Sequence, residues 1–212
     1  MRRLDRYPNF DALRRGERPD TFRINCCVRA SGVAIIAPHG GKIEPWTSTI
    51  ATSIAADDYC LYCFEGRKQR DNWDLHVTST HFDEPQCLSL VARCDRVVAV
   101  HGCEGAEVIV YMGGLDQDLR DSIGDYLHAI GVVTGSHDDP DLQGLHRNNI
   151  CNRGRRGMGV QLEISYGLRS ALIQATPPEA VPAMAAFSEA VRAAIGAVGH
   201  EGMADAQELA RR

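Results

Sequence analysis

The sequence has no apolar run near the roughly 18 residues that a bilayer-crossing helix needs. Met1 to Arg15 are too charged to form the core of a secretion signal. Aromatic residues are scarce, at 6%, and positive charge is not in excess: 23 Lys and Arg stand against 28 Asp and Glu, a net charge of −5. Such a balance gives no global pull toward nucleic acid or an anionic membrane, so any anion site must be a local concentration of cations. Cysteine reaches eight in 212 residues, too dilute for a disulfide framework in a chain long enough to bury a core. Most are therefore read as reduced and buried. Neither an internal repeat nor a low-complexity linker occurs. A cytoplasmic monomer without a membrane or nucleic-acid partner is expected, with one domain over residues 1–200 and a polar tail over residues 201–212.

At 44% hydrophobic and 24% charged residues, the chain has the composition of an ordinary globular protein. Gly32 to Pro38 and Arg96 to Val100 are continuously apolar, the pattern of strands covered on both faces. Further strands are expected over Thr21–Arg29, Asp58–Glu65, Asp74–Ser79, Glu107–Met112 and Gly159–Ser165. Helices are expected over Pro45–Ala56, from Asp83 to about Arg93, over Asp116–Ile130 with a stop at Gly131, and over Glu179–Val198 ending at Gly199. Alternation of the two kinds predicts a three-layer open α/β fold with a mixed parallel and antiparallel sheet. Cys60 and Cys63 form a CxxC inside a strand-like run, where positions three apart face opposite sides, so both are assigned to packing.

Two histidines share one local setting, each directly after a buried apolar run and directly before glycine: Ala-Pro-His39-Gly-Gly and Ala-Val-His101-Gly-Cys. Ligands of open α/β sheets sit at the carboxyl ends of strands, and glycine there lets a ligand approach the backbone. Glu44 follows His39 across Gly40-Gly41 and can fold back to the same point. Two histidines and a carboxylate with an open fourth position suit catalytic Zn2+. Glu163 is a lone carboxylate in an apolar strand and needs a partner; general base toward a water on the metal is its natural role. Arg147 to Arg156 is the densest basic stretch, and the forks of Arg147, Arg153, Arg155 and Arg156 suit carboxylate or phosphate. A polar block from Thr78 to Asp83, with His81, could add hydrogen bonds around the pocket. The bland readings are structural histidines, a Glu163–Arg pair and a solvated arginine loop. His76, His128, His137, His146 and His200 lack the strand-end setting and are assigned to surface or core.

With these residues in view, the chain resembles the poly-γ-glutamate hydrolase family of phage and bacterial zinc enzymes with a carboxypeptidase-like fold. The matching segments are Tyr7-Pro-Asn-Phe10, His39-Gly-Gly-Lys-Ile-Glu-Pro45, Phe64-Glu-Gly66, Thr80-His-Phe-Asp-Glu-Pro85, Val100-His-Gly-Cys103, Tyr111-Met-Gly-Gly114, Ile150-Cys-Asn-Arg-Gly154 and Gly159-Val-Gln-Leu-Glu163. The resemblance implies zinc-dependent hydrolysis of γ-glutamyl amide bonds in an anionic polymer whose units keep free α-carboxylates. It implies His39, Glu44 and His101 as metal ligands, Glu163 as the catalytic glutamate and arginines of Arg153–Arg156 as carboxylate binders.

The chain departs from the pattern twice. Glu44 lies five residues after His39 where zinc carboxypeptidases have His-x-x-Glu, which keeps Glu65 as a rival third ligand. Trp46 stands where the family has glycine. An amidase or deacylase of a small γ-glutamyl or N-acyl amino acid, and a non-enzymatic polyanion-binding protein associated with phage replication, are the alternative functions.

Overall fold

In the computed structural model, which describes residues 4–179 and 181–209, a seven-stranded mixed sheet runs through the molecule in the order β1-β3-β2-β4-β7-β5-β6. The strands are β1 (Phe22–Cys27), β2 (Val33–Gly41), β3 (Cys60–Gly66), β4 (Arg96–Cys103), β5 (Ile109–Gly113), β6 (Val133–Gly135) and β7 (Val160–Ser165). β3, β2, β4 and β7 are mutually parallel, so their carboxyl ends share one edge of the sheet. β1 joins β3, and β5 joins β7, in the antiparallel sense. The expected three-layer α/β fold with a mixed sheet is what forms.

Strand alternation makes two cores from one sheet. Ile35, Ala37, Val98, Val100, Leu162 and Ile164 face one layer, with α2 (Thr47–Ala55), α4 (Gln117–Ala129) and α6 (Met184–Leu209). Ala34, Ile36, Tyr62, Phe64, Val97 and Ala99 face the other, with α1 (Phe10–Gly16) and α3 (Pro85–Val91). The helices form for local reasons. α4 buries Leu119, Ile123 and Leu127 at four-residue spacing, and the Asp116 side chain accepts from the Leu119 N–H at its start. α3 has Pro85 in its first turn and Glu84 accepting from the Cys87 N–H. All eight cysteines are free, and Cys60 and Cys63 fall in opposite cores as the strand period demands.

Several boundaries differ from expectation. β2 and β4 run through His39 and His101 to Gly41 and Cys103 instead of ending at the histidines. α2 starts at Thr47, because Trp46 has a left-handed backbone (φ 73°) that no α-helix accommodates. The segment expected as a strand at Asp74–Ser79 is a 3₁₀ turn, Asn72–Leu75, followed by irregular chain. Both edges of β3 are taken by β1 and β2, which leaves that segment no strand to pair with there. β6, three residues long, and α5 (Tyr166–Leu172) were not foreseen. The last helix continues through Gly199 to Leu209, and residues 210–212 of the expected tail lie outside the described residues. No helix among the described residues is long and apolar enough to cross a membrane.

Gly41 closes β2 at φ 65°, and a Cβ there would stand 2.6 Å from the Gly66 carbonyl oxygen and 2.9 Å from its nitrogen. Gly41→Ala should therefore lower the urea midpoint by the equivalent of about 1–2 kcal/mol or more from the left-handed backbone alone. An unchanged midpoint would mean that β2 does not end against Gly66 in this way.

Candidate metal centre

Three buried polar side chains meet at the carboxyl ends of β2 and β4. His39 and His101 are each 2% exposed and Glu44 is 7% exposed. Glu44 reaches back because the chain turns after β2: the Glu44 N–H donates to the His39 carbonyl at 2.9 Å and the Lys42 N–H to the Gly66 carbonyl at 3.0 Å. Its Oε1 then lies 2.9 Å from His39 Nδ1, and its Oε2 accepts from the Gly102 N–H at 2.8 Å. His101 Nδ1 faces His39 Nδ1 at 3.1 Å. One ligand atom from each of the three residues lies within 4.8 Å of the others.

The tautomer of His39 follows from its second bond. Nε2 lies 2.8 Å from the Val77 carbonyl oxygen, which can only accept, so Nε2 carries a proton and Nδ1 is the nitrogen left to bind a cation. His101 Nε2 has Ser79 Oγ at 3.5 Å. Two imidazole lone pairs and a carboxylate aimed at one point are a donor set that fits a divalent metal. Behind them, His76 stacks on His39 with ring centroids 4.0 Å apart, and Trp73 stacks on His76 at 4.3 Å. Asp5 holds His76 Nδ1 at 2.6 Å and accepts from the Thr78 N–H at 2.7 Å.

Charge explains the protonation pattern. Burial works to lower the His39 pKa, yet the Glu44 carboxylate and its hydrogen bond carry it above the usual value. For His101, burial dominates, Glu44 opposes it, and the positive His39 adds to it, so the pKa falls to about 3. Burial alone would raise Glu44, but the charge and hydrogen bond of His39, with His101 behind it, hold it at about 2. Glu44 thus favours a proton on the His39 side of the group over one on His101.

Glu163 lies on β7 as the register partner of His101, so the two side chains leave the same face of adjacent parallel strands. It is 4% exposed. Gln161 donates to Glu163 Oε1 at 2.9 Å and is itself held by Asn149, whose Nδ2 donates to Gln161 Oε1 at 2.8 Å. Burial, and then the nearby Glu44 carboxylate, push its pKa well above the usual range. A cavity of about 660 Å³ opens over Glu44 and Gly102, walled by Lys42, Trp73, Tyr166 and Arg169 among others. A second, of about 250 Å³, is lined by Thr78, Thr80, His81, Gly144, His146 and Asn149 among others.

The fold brings His39, Glu44, His101 and Glu163 together and leaves other candidates elsewhere. Glu65, the rival ligand, is bound by Arg23 at 2.6 Å and lies outside the metal-ligand group. Arg155 pairs with Asp95 at 2.6 Å, and the Arg155 N–H donates to the Cys94 carbonyl, at the amino end of β4. Arg156 pairs with Asp116 at 2.7 Å near the start of β7. Arg153, on the same turn, is exposed. Arg153, Arg155 and Arg156 sit before β7 begins, whereas Glu163 stands near its far end, and Arg155 and Arg156 are engaged by Asp95 and Asp116. Arg147 is exposed beside the smaller cavity, and exposed His81 lines it. The cations that line the larger cavity are Lys42 and Arg169. Neither was singled out from the sequence, although Ser165, capping the Leu168 N–H, marks the helix that carries Arg169. His76 and Asp5 were missed because their contacts join segments far apart in the chain.

Residues 7–191 match the family model described as poly-gamma-glutamate hydrolase. The chain is 35% identical over 170 residues to the UPF0714 protein YndL of Bacillus subtilis (strain 168), covering 79% of this chain and 67% of that protein. It is 36% identical over 162 residues to the SPbeta prophage-derived UPF0714 protein YoqZ of the same organism, covering 76% of this chain and 59% of the relative. A solved structure of a bacteriophage poly-gamma-glutamate hydrolase superposes with a TM-score of 0.85 at 29% identity, over 94% of this chain and 100% of the other. A structure of YndL described as apo and zinc-free superposes with a TM-score of 0.83 at 30% identity, over 91% and 98% of the two chains.

Because folding raises the Glu163 pKa above its ordinary 4.5, the folded chain holds that proton more tightly than the unfolded one. The contribution to stability is full below the unfolded value and is lost as pH climbs toward the folded one. Metal-free Glu163→Gln should melt with the parent at pH 4 and above it at pH 8, by roughly 2–4 °C for each kcal/mol of ionisation cost removed. Equal melting at both pH values would show that Glu163 ionises without penalty.

Proposed function

The chain belongs to the poly-gamma-glutamate hydrolase family, and from that premise we propose that it is a zinc-dependent hydrolase cleaving γ-glutamyl amide bonds of an anionic polymer. The observation that carries this reading is the convergence of His39 Nδ1, His101 Nδ1 and Glu44 on one buried point, with Glu163 on the adjacent strand. His39, Glu44 and His101 would hold the metal. Zinc in such a site supplies Lewis-acid polarisation of a carbonyl and of a water.

The rest falls to the protein's own side chains. Glu163 is the general base, its Oε1 fixed by Gln161 so that Oε2 is left to take a proton from the attacking water. A carboxyl with a raised pKa can also return that proton to the departing amine. His39 is kept in one tautomer by the Val77 carbonyl and in one ring position by the His76 and Trp73 stack. Lys42 lines the larger cavity beside Glu44, Asp71 and Glu104, and Arg147 is exposed beside the smaller one, so each offers one cation to a free α-carboxylate.

Two cavities favour an extended substrate over a small amidated amino acid. Glu44 lines the larger, and the smaller is built from the residues on either side of Ser79, which bonds His101. A polymer occupying both would place an internal bond over the metal. The binding-only reading loses its main support, because Arg155 and Arg156 are already paired with carboxylates.

Purified protein should carry about one zinc per chain, and a chelator should abolish hydrolysis until zinc is returned. Glu163→Gln, a near-isostere, should keep the zinc and lose about 10²–10⁴ in kcat. Products sized early in the digestion of long poly-γ-glutamate should be of intermediate length. A protein that gains no activity with zinc, or releases only single residues, would overturn the respective part of this reading.

A further inference from the structure

Arg169 is 3% exposed, yet no carboxylate among the described residues lies within ion-pair distance of it. Its nitrogens are spread over three main-chain carbonyls instead: Nε donates to Ile164 at 2.9 Å, Nη2 to Cys103 at 2.9 Å and Nη1 to Pro45 at 2.5 Å. Each acceptor sits beside a residue of the site. Ile164 follows Glu163, Pro45 follows Glu44, and Cys103 stands two residues after His101. These are three separate pieces of chain, the end of β7, the turn after β2 and the end of β4, and one planar fork touches them all.

The surroundings are shaped to admit this fork. Gly102 lies between His101 and Cys103, and a Cβ there would run into the Arg169 guanidinium. The Tyr166 ring stands 5.7 Å from Arg169 Cζ and, with Arg169, lines the larger cavity. Desolvation lowers the Arg169 pKa, while Glu44 and Glu163 act against that loss through space. A guanidinium keeps its charge when buried and presents donors in a fixed plane, whereas an ammonium of similar reach is a point donor that cannot span three diverging carbonyls.

We propose that Arg169 is the positioning residue of this site, holding the backbones that carry Glu44, His101 and Glu163 in one register before metal or substrate arrives. Its purpose rests on the metal centre proposed above; its geometry does not. Arg169 acts on the ligands through the main chain. The Gly102 N–H that it helps to place is the donor to Glu44 Oε2 at 2.8 Å.

The test uses Arg169→Met, which removes the fork, and Arg169→Lys, which keeps the charge. Amide hydrogen exchange is followed in the metal-free proteins, and zinc affinity is measured by competition with a chelator. In both variants Gly102 should exchange at least about tenfold faster while Val98 and Leu162, deeper on the same strands, keep their rates. Zinc affinity should fall by about 10–100-fold, the usual effect of losing a group that orients a metal ligand. Parent-like exchange at Gly102 overturns the proposal. So does uniform acceleration over the whole sheet, which would make Arg169 a stability residue only, and so does full rescue by lysine, which would make its charge sufficient. A raised KM with unchanged exchange and zinc affinity would assign it to substrate binding and overturn positioning as well. Should the parent take up no zinc, the proposed metal chemistry fails, while the Gly102 rates still decide the role of Arg169.

Discussion

Two imidazole nitrogens facing each other at 3.1 Å, with a carboxylate oxygen 2.9 Å from one of them, need a proton or a metal ion among them. That constraint organises the structure around the carboxyl ends of β2 and β4. In metal-free protein a proton meets that need, and the Glu44 carboxylate favours it on His39. A divalent ion meets the same demand and can also bind the Glu44 carboxylate, a buried charge that needs a positive partner. The three side chains thus form a group that could hold a metal ion.

Holding such a group requires that nothing around it relax. Parallel pairing of β2, β4 and β7 sets the two histidines and Glu163 side by side on the sheet, and apolar layers on both faces exclude water. Polar neighbours then fill the remaining valences: Val77 for His39, the Gly102 N–H for Glu44, Gln161 for Glu163. Gln161 is fixed in turn by Asn149. Such a network strengthens its members when complete, and a missing member leaves a buried polar group unpaired.

What was legible in the sequence follows from this physics. His39 and His101 stood out because a polar residue at the end of a fully apolar strand, next to glycine, has few structural explanations. Glu163 stood out for the same reason, as a charge in a strand that is otherwise buried. The place of the arginine run was not legible, because composition cannot say which end of a strand a loop adjoins. Arg155 and Arg156 precede β7 and so belong to the end of the sheet away from the site, where Asp95 and Asp116 receive them. Arg169 follows β7 and belongs to the correct end, but a single arginine in an unforeseen seven-residue helix carries no visible signal. Asp5 and His76 were hidden because their meaning depends on long-range contacts.

Trp46 shows how a strained turn beside the site can be accommodated. The turn that returns Glu44 to His39 ends in a left-handed residue, the conformation that glycine adopts freely. A bulky residue there costs about 1–2 kcal/mol. The indole packs on Tyr166 with ring centroids 5.4 Å apart, a contact of the kind worth about 0.5–1.5 kcal/mol beyond the area it buries. The two magnitudes are comparable, so the aromatic pair can offset the strained backbone. Tyr166 also lines the larger cavity and lies near Arg169, so the residue that offsets the strain belongs to the wall that a substrate would meet. The aromatic pair thereby couples the turn carrying a metal-ligand candidate to the shape of the cavity mouth.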